Sequence, residues 1–544
     1  MINRSVSELK MAITKFPDEI QKRYDDFRSF GFIIQEDMSL MAKTAREIVY
    51  FFDEQVIAKI LQTLLQMARI NEENAGKKSK IERLEKKINS WNMEFMAEAV
   101  EELFLLVDKD YAKELFRAFF KKALAAGHAD VLKRYLDRQV ETDPCKSFIE
   151  MVNNNETGAK RVVFIARRPF FQILREACYL QKNGWRTFLV HMDMYNSDVQ
   201  TGFEAVLVIP NHLWLLDTLV GRLDAEVFHA QCLFMDSIMG VSVVRAQRKG
   251  ACVCEFYDVT SVFAPRDALC IKWSPRVVDM ELLLEKAVCL EADAVITRFP
   301  APVHEELRRR HGGLTRIIEF QPYPCLEFTC YGDGKLSEKD GAVHLVYAGM
   351  FVPKDKDHPR ELFPERNQCE TFRRLVAQGL KLDVFCASQQ AVGFNKATFA
   401  DYHKLAEENP HFRMRESVPP NILAKVMAPY DFAINIFDLR LEESLNRDSH
   451  IKNVTSAKIF SYLEAGLPVI VTAEYEYMAR IIEDNKLGFA VTRDEIDKVA
   501  ERIKTFDYES CVENIKSFNR EFGMAKEIRK ITTLYEEIIA ARRL

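Results

Sequence analysis

Lys458 stands in the first turn of the stretch SAKIFSYLEAG, which opens on Ser456, closes on Gly466 and carries Ile459, Phe460 and Leu463 at helical spacing. A helix start offers backbone N–H groups and the positive end of the helix dipole, so an ammonium beside it prepares a place for a phosphate-bearing ligand. Asp258 follows the apolar run ACVCEFY, where a carboxylate serves as a base in a cleft or as the cap of the next helix. His229 ends the run Glu226, Val227, Phe228, a position for proton transfer or for a buried hydrogen bond. Arg167 and Arg168 open the loop ARRPFF and would meet an anionic ligand, or water. Gly349 leads into a loop that holds two more cations, Lys354 and Lys356.

The elements that must position these residues are short. The 456–466 helix runs directly into the apolar stretch 467–471, giving a helix, a tight turn and a buried parallel strand. From Arg161 onward, apolar runs at 162–166, 187–191, 205–209, 226–230, 251–257 and 294–297 alternate with helical patterns at 170–183, 212–222 and 280–290. The polar, glycine-rich gap YGDGKLSEKDGAV (331–343) breaks this pattern, which restarts with strands at 344–348, 382–386, 411–414 and 432–436 between helices at 365–378, 402–408 and 421–427. Helices close the chain from Asp494, including 515–522 and 525–541. Such alternation predicts two α/β halves with parallel sheets, and ligands of these sheets sit beyond the carboxyl ends of the strands, in the cleft between the halves. Neither GxGxxG nor GxxxxGK[ST] follows any of these strands, which disfavours the usual Rossmann dinucleotide site and P-loop hydrolysis.

Residues 1–150 differ in texture. They contain only Gly31, Gly76 and Gly127 of the 20 glycines and only Pro17 and Pro144 of the 18 prolines, so helices are expected there and strands are not. Ile81, Leu84, Ile88, Trp91 and Phe95 predict one long amphipathic helix, and Ile48, Phe51, Phe52, Val56, Ile60 and Leu64 a second stripe. A self-packed bundle or a homo-oligomerisation face follows. The polar stretch at 151–160 is expected to be a linker, so the domains are expected at 1–150, 151–335 and 336–544.

A chain of 544 residues exceeds the size of one core. With 76 Lys and Arg against 81 Asp and Glu, the net charge of −5 gives no global field for nucleic acid, and any anionic ligand must be held locally. The 12 cysteines form no CxxC pair, and reduced thiols in a cytoplasmic protein are expected. The amino terminus has no apolar signal core, and no long uncharged apolar run occurs, so secretion and membrane spanning are not expected.

Taken together, residues 161 to about 541 resemble the GT-B-fold glycosyltransferases of the "glycosyl transferases group 1" type. HLVYAGMF (344–351) is similar to the first strand and glycine turn of that family's donor domain. YHKLAEENPHFRMRESVPPNILAKVMAPYDFAINIF (402–437) resembles the passage that follows, and SAKIFSYLEAGLPVIV its P.K..EYLA.G.PV block. EVFHAQ, EFYDV and EKAVCLEADAVIT resemble passages of the acceptor domain.

The resemblance implies two Rossmann-like α/β domains facing across a cleft, preceded by an all-α region. It implies that a nucleotide-sugar diphosphate lies against the helix start at Thr455 and Ser456, opposed by Lys458 and by Lys354 or Lys356. The base would lie near Glu416, with Gly349 and Ser461 lining the donor site. No metal and no cofactor are implied beyond the nucleotide-sugar as co-substrate. The DxD strings Asp108–Asp110 and Asp355–Asp357 fall outside the setting in which the other glycosyltransferase fold holds its ion. Three positions depart from the family: Asn453 and Ser461 replace a glutamate pair, Tyr257 followed by Asp258 replaces a histidine after the fifth strand, and ARRPFF lacks glycines. The expected activity is sugar transfer to a saccharide, lipid-linked saccharide or protein in polysaccharide biosynthesis. The expected location is cytoplasmic, or peripheral at the inner face of a membrane. A nucleotide-sugar epimerase on the same fold and a catalytically silent GT-B-like scaffold are the alternatives.

Overall fold

The structure is a computed structural model that describes residues 42, 45–46, 54–70, 77–88, 93–107, 112, 138, 140–192, 202–209, 213–246, 249–313, 316–350, 362, 368–386, 399–416 and 418–543. The first sheet contains β1 (Arg161–Ala166), β2 (Arg186–His191), β3 (Ala205–Val208), β4 (Val227–Cys232), β5 (Ala251–Phe256), β6 (Ala294–Thr297) and β7 (Arg316–Glu319). All of its pairings are parallel, in the order β3-β2-β1-β4-β5-β6-β7. The second contains β8 (His344–Gly349), β9 (Lys381–Cys386), β10 (Phe412–Glu416), β11 (Phe432–Asn435), β12 (Val469–Thr472) and β13 (Gly488–Val491), again parallel, in the order β10-β9-β8-β11-β12-β13. The strand order reverses beside β1 in one sheet and beside β8 in the other, and these reversals are where doubly wound sheets open a crevice for a ligand. β1, β4 and β5 are buried along their whole length, as expected of continuous apolar runs covered on both faces.

The sequence pattern misses β7 and β13. Each has only four residues, RIIE and GFAV, too short to show a period. The single helix expected through Ile81 and Phe95 is two described helices, α1 (Lys78–Ile88) and α2 (Met93–Phe104); Phe95 is 43% exposed, so it does not extend the buried stripe of Ile81, Leu84 and Ile88. Trp91 and both DxD strings lie outside the described residues. The linker expected from residue 151 begins later, because α3 (Asp143–Asn153) starts with a proline in its first turn and buries Phe148 and Val152. Phe148 meets Phe188 of β2 edge to face at 6.1 Å.

Four further helices complete the frame of the site: α4 (Phe171–Lys182), α5 (Ala457–Glu464), α6 (Tyr508–Glu521) and α7 (Met524–Arg543). Gly466 ends α5 as expected, at φ 69°, and the Leu467 N–H reaches back to the Tyr462 carbonyl at 3.1 Å. A Cβ there would stand 2.7 Å from the Tyr331 ring, so conformation and space both favour glycine. After α6 the chain crosses back. Met524, Ile528, Ile531 and Tyr535 of α7 join one buried cluster with Phe164 and Val253 of the first sheet.

Candidate active site

A cavity of 580 Å³ lies between the two sheets, lined from the first domain by Phe170, Phe171, Tyr257, Asp258 and Arg298 and from the second by Gly349, Thr455, Ser456, Lys458 and Ser461, among others. It sits where the topology places a ligand, beyond the ends of β5, β6, β8 and β11. Of the residues singled out in the sequence, Asp258, Gly349, Thr455, Ser456, Lys458 and Ser461 line it together.

On the second-domain side, α5 begins at Ala457 with no hydrogen bond from the Ser456 side chain. The Lys458 side chain crosses Gly349, and its ammonium lies 5.6 Å from the Tyr347 ring centroid and 5.9 Å from that of Phe437. Thr455 is buried and its hydroxyl donates to Gln321 Oε1 at 2.7 Å, fixing the turn ahead of the helix to the first domain. Ser461 occupies one of the departed glutamate positions. Its Oγ accepts from Arg175 of α4 at 3.4 Å. Glu464, one turn on, faces away from the cavity and pairs with the same guanidinium at 2.6 Å. Asn453, at the other position, donates to the Ser449 carbonyl at 2.8 Å and is not among the cavity-lining residues.

On the first-domain side, Arg298 is a residue that sequence reasoning missed. It follows β6 in the string TRFP, which has no motif; the only signal was a cation just past a strand end. Its guanidinium donates to Asp258 Oδ1 and to the Thr455 carbonyl, and stacks 4.1 Å from the Tyr257 ring centroid. Burial pushes the pKa of the Tyr257 hydroxyl up, and Arg298 opposes the shift. Two cations, Lys458 and Arg298, therefore flank one helix start. His450, also unforeseen, lines the cavity between the Phe263 and Phe299 rings, and burial lowers its pKa to about 4. It is therefore a neutral imidazole at physiological pH.

Other expected residues are elsewhere. His229 does not reach the cleft. It sits mid-strand on β4, with its ring turned toward α4 and α7, where Nδ1 lies 2.6 Å from the Tyr535 hydroxyl. Position along the strand decides this, since β4 runs three residues past His229, to Cys232, before its carboxyl end opens toward the cleft. Arg167 is held by Asp236 at 2.9 Å, burial raising the Asp236 pKa to about 6, while Arg168 is exposed; neither lines the cavity. Glu416 is exposed at the end of the edge strand β10, and Val418, Pro420 and Leu423 form the wall on that side instead. Lys354 and Lys356 lie outside the described residues.

Residues 382–532, which include β9 to β13, α5 and α6, match the family described as "Glucosyltransferase 3-like, C-terminal domain". That match lies wholly within the second half of the chain, and the first sheet falls outside it. Solved structures similar to the chain include the calicheamicin glycosyltransferase, at 11% identity over 70% of this chain and 98% of that one, with a TM-score of 0.39. An O-GlcNAc transferase mutant from Thermobaculum terrenum has 11% identity over 89% and 98%, with a TM-score of 0.43. The UDP-GlcNAc 2-epimerase from Neisseria meningitidis, bound to UDP-GlcNAc, has 9% identity over 70% and 100%, with a TM-score of 0.40. No curated protein sequence matches the chain.

Proposed function

We propose that this GT-B chain transfers a sugar from a nucleotide-sugar donor to an acceptor hydroxyl in the cavity between its two domains. The observation that carries the reading is the placement of Lys458 and Arg298 on either side of the α5 start, at the mouth of a cavity shared by both sheets. A departing nucleoside diphosphate develops negative charge. Lys458 and the α5 N-terminus, joined by Arg298 once it turns from Asp258, stabilise that charge without a metal ion in the transfer step. Each contact shielded from water contributes about 1.5–3 kcal/mol.

Donor diphosphate lies against Thr455 and Ser456, with Lys458 over it and Gly349 below. The backbone N–H groups at the α5 start meet the phosphate on binding. Asp258 faces the same space and accepts the acceptor hydroxyl proton, or hydrogen-bonds the sugar, once Arg298 turns to the phosphate. Phe170, Phe171 and Tyr257 form an aromatic wall on the acceptor side, suited to the apolar face of a saccharide or of a lipid-linked or protein-borne acceptor.

Calorimetric titration with nucleoside diphosphates and nucleotide sugars, followed by product analysis with and without glycosyl acceptors, tests the proposal. Binding together with acceptor-dependent release of nucleotide supports it. Conversion of the donor sugar without acceptor would identify an epimerase, and absence of nucleotide binding would identify a scaffold.

A further inference from the structure

The misplaced histidine belongs to a second polar centre. His229 of β4, Glu255 of β5 and Glu176 of α4 meet in the core of the first domain, with relative exposures of 0%, 2% and 0%. The Gln172 amide donates to Oε1 of Glu176 at 3.0 Å and to Oε1 of Glu255, while Tyr535 of α7 holds His229 Nδ1. The opposite atoms are left over. Glu176 Oε2, Glu255 Oε2 and His229 Nε2 are buried with no hydrogen-bond partner among the described residues. His229 Nε2 lies 3.5 Å from Glu255 Oε2, His229 Nδ1 lies 3.9 Å from Glu176 Oε2, and one ligand atom from each residue falls within 4.8 Å of the others.

Orphaned polar atoms in the core are rare, and two carboxylates converging on an imidazole without a countercharge are costly. A divalent cation resolves both features. Ligand atoms around a tetrahedral metal with bonds of about 2.1 Å are about 3.4 Å apart, so small side-chain shifts suffice to close the set. One imidazole nitrogen and two carboxylate oxygens suit zinc, cobalt or manganese rather than calcium or magnesium. Tyr535 and Gln172 hold the ligands from behind, as outer partners of metal sites do.

We propose that Glu176, His229 and Glu255 form a buried site for a divalent transition-metal cation, of the zinc class, in the core of the first domain. The cation has a structural role. It ties β4, β5 and α4 together directly, and α7 through Tyr535, immediately behind the cavity wall, since Gln172 adjoins Phe171 and Glu255 lies on the strand that leads to Tyr257 and Asp258. The site lies outside the transfer cavity, so it adds no metal to the proposed sugar transfer.

Elemental analysis of the desalted full-length chain, produced in zinc-supplemented medium, tests this together with refolding in the presence of Co²⁺. The expected result is stoichiometric zinc, and visible ligand-field absorption from bound cobalt. Glu176→Gln and Glu255→Gln should reduce both to background, whereas the exposed Glu513→Gln should change neither. Should either core variant fail to fold, the wild-type cobalt spectrum still decides, because a protein without the site gives only the spectrum of aqueous cobalt. Folded wild-type chain with zinc well below stoichiometry and no cobalt band would overturn the proposal and leave shared protons as the resolution. Metal retained in full by folded Glu176→Gln and Glu255→Gln would overturn it equally.

Discussion

The side chain of Lys458 occupies the space that a side chain at Gly349 would need: a Cβ on Gly349 would stand 2.1 Å from Lys458 Cε and 2.9 Å from Cδ. The glycine that ends β8 and the lysine in the first turn of α5 are thus one unit, in which the missing Cβ sets the path of the ammonium. Gly349→Ala is therefore expected to act as a displaced lysine. Lys458→Ala should weaken binding of a nucleoside diphosphate about 10- to 100-fold, equivalent to one shielded charge-assisted contact. Gly349→Ala should weaken it in the same direction, and the two changes together should cost little more than Lys458→Ala alone. Isothermal titration of the four proteins checks this; additive losses would separate the two residues.

Asp258 and Arg298 are a pair whose members are expected to respond differently. Asp258→Asn removes the carboxylate but leaves Arg298 its contacts with the Thr455 carbonyl and the Tyr257 ring. If Asp258 handles the acceptor proton, kcat should fall by about 10²–10⁴-fold while diphosphate affinity holds or rises. Arg298→Ala should instead weaken donor binding, by about 10-fold or more. Steady-state kinetics beside calorimetry distinguishes the two; a fall in donor affinity alone on Asp258→Asn would make Asp258 a positioning residue.

Much of this architecture was legible in the sequence because buried parallel strands announce themselves as largely apolar runs, and β1, β2, β4, β5, β8 and β9 do so despite the polar residues His229, Gln231, Glu255 and Asp383 within them. The α5 unit was legible for a different reason. Its lysine, helix start and glycine stop are local, and they keep their meaning wherever the unit lies in the fold. Side-chain facing was not local. Whether His229 reaches the cleft depends on where β4 ends, three residues further on, and Arg298 and His450 enter the site only because another domain is brought against them. Glu464 shows the same limit, since nothing near it in sequence indicates that its partner, Arg175, lies in the other domain.

That pair should matter to stability. Arg175 and Glu464 are both almost fully buried at 2.6 Å, and Glu464 also accepts from the Cys325 N–H at 2.7 Å in the connection between the domains. Breaking one side of a buried pair leaves an uncompensated charge, so Glu464→Gln is expected to cost about 3–5 kcal/mol. Arg175→Met combined with Glu464→Gln should recover part of the loss, because no guanidinium is then stranded. Chemical denaturation of the two proteins measures the effect, and calorimetry should show the domains melting less cooperatively in Glu464→Gln. A loss below about 1 kcal/mol would mean that water or other groups replace the carboxylate.

His450 gives the chain an acid-side sensitivity. Burial against Phe263 and Phe299 lowers its pKa to about 4, with Asp258 opposing the shift and Arg298 reinforcing it. In the unfolded chain the imidazole titrates near its ordinary value of about 6.5, so between the two values the unfolded state binds the extra proton and the folded state does not. Stability from this residue is therefore fully present above about pH 6.5 and declines as the pH falls toward about 4, by at most about 3 kcal/mol. His450→Phe has no proton to bind and keeps an aromatic ring between its two neighbours. Denaturation midpoints measured from neutral to mildly acidic pH should fall less steeply for the variant than for the wild type. Parallel profiles would mean that the folded-state pKa of His450 stays near its ordinary value, and a shallower fall for the wild type would mean that Asp258 holds it protonated.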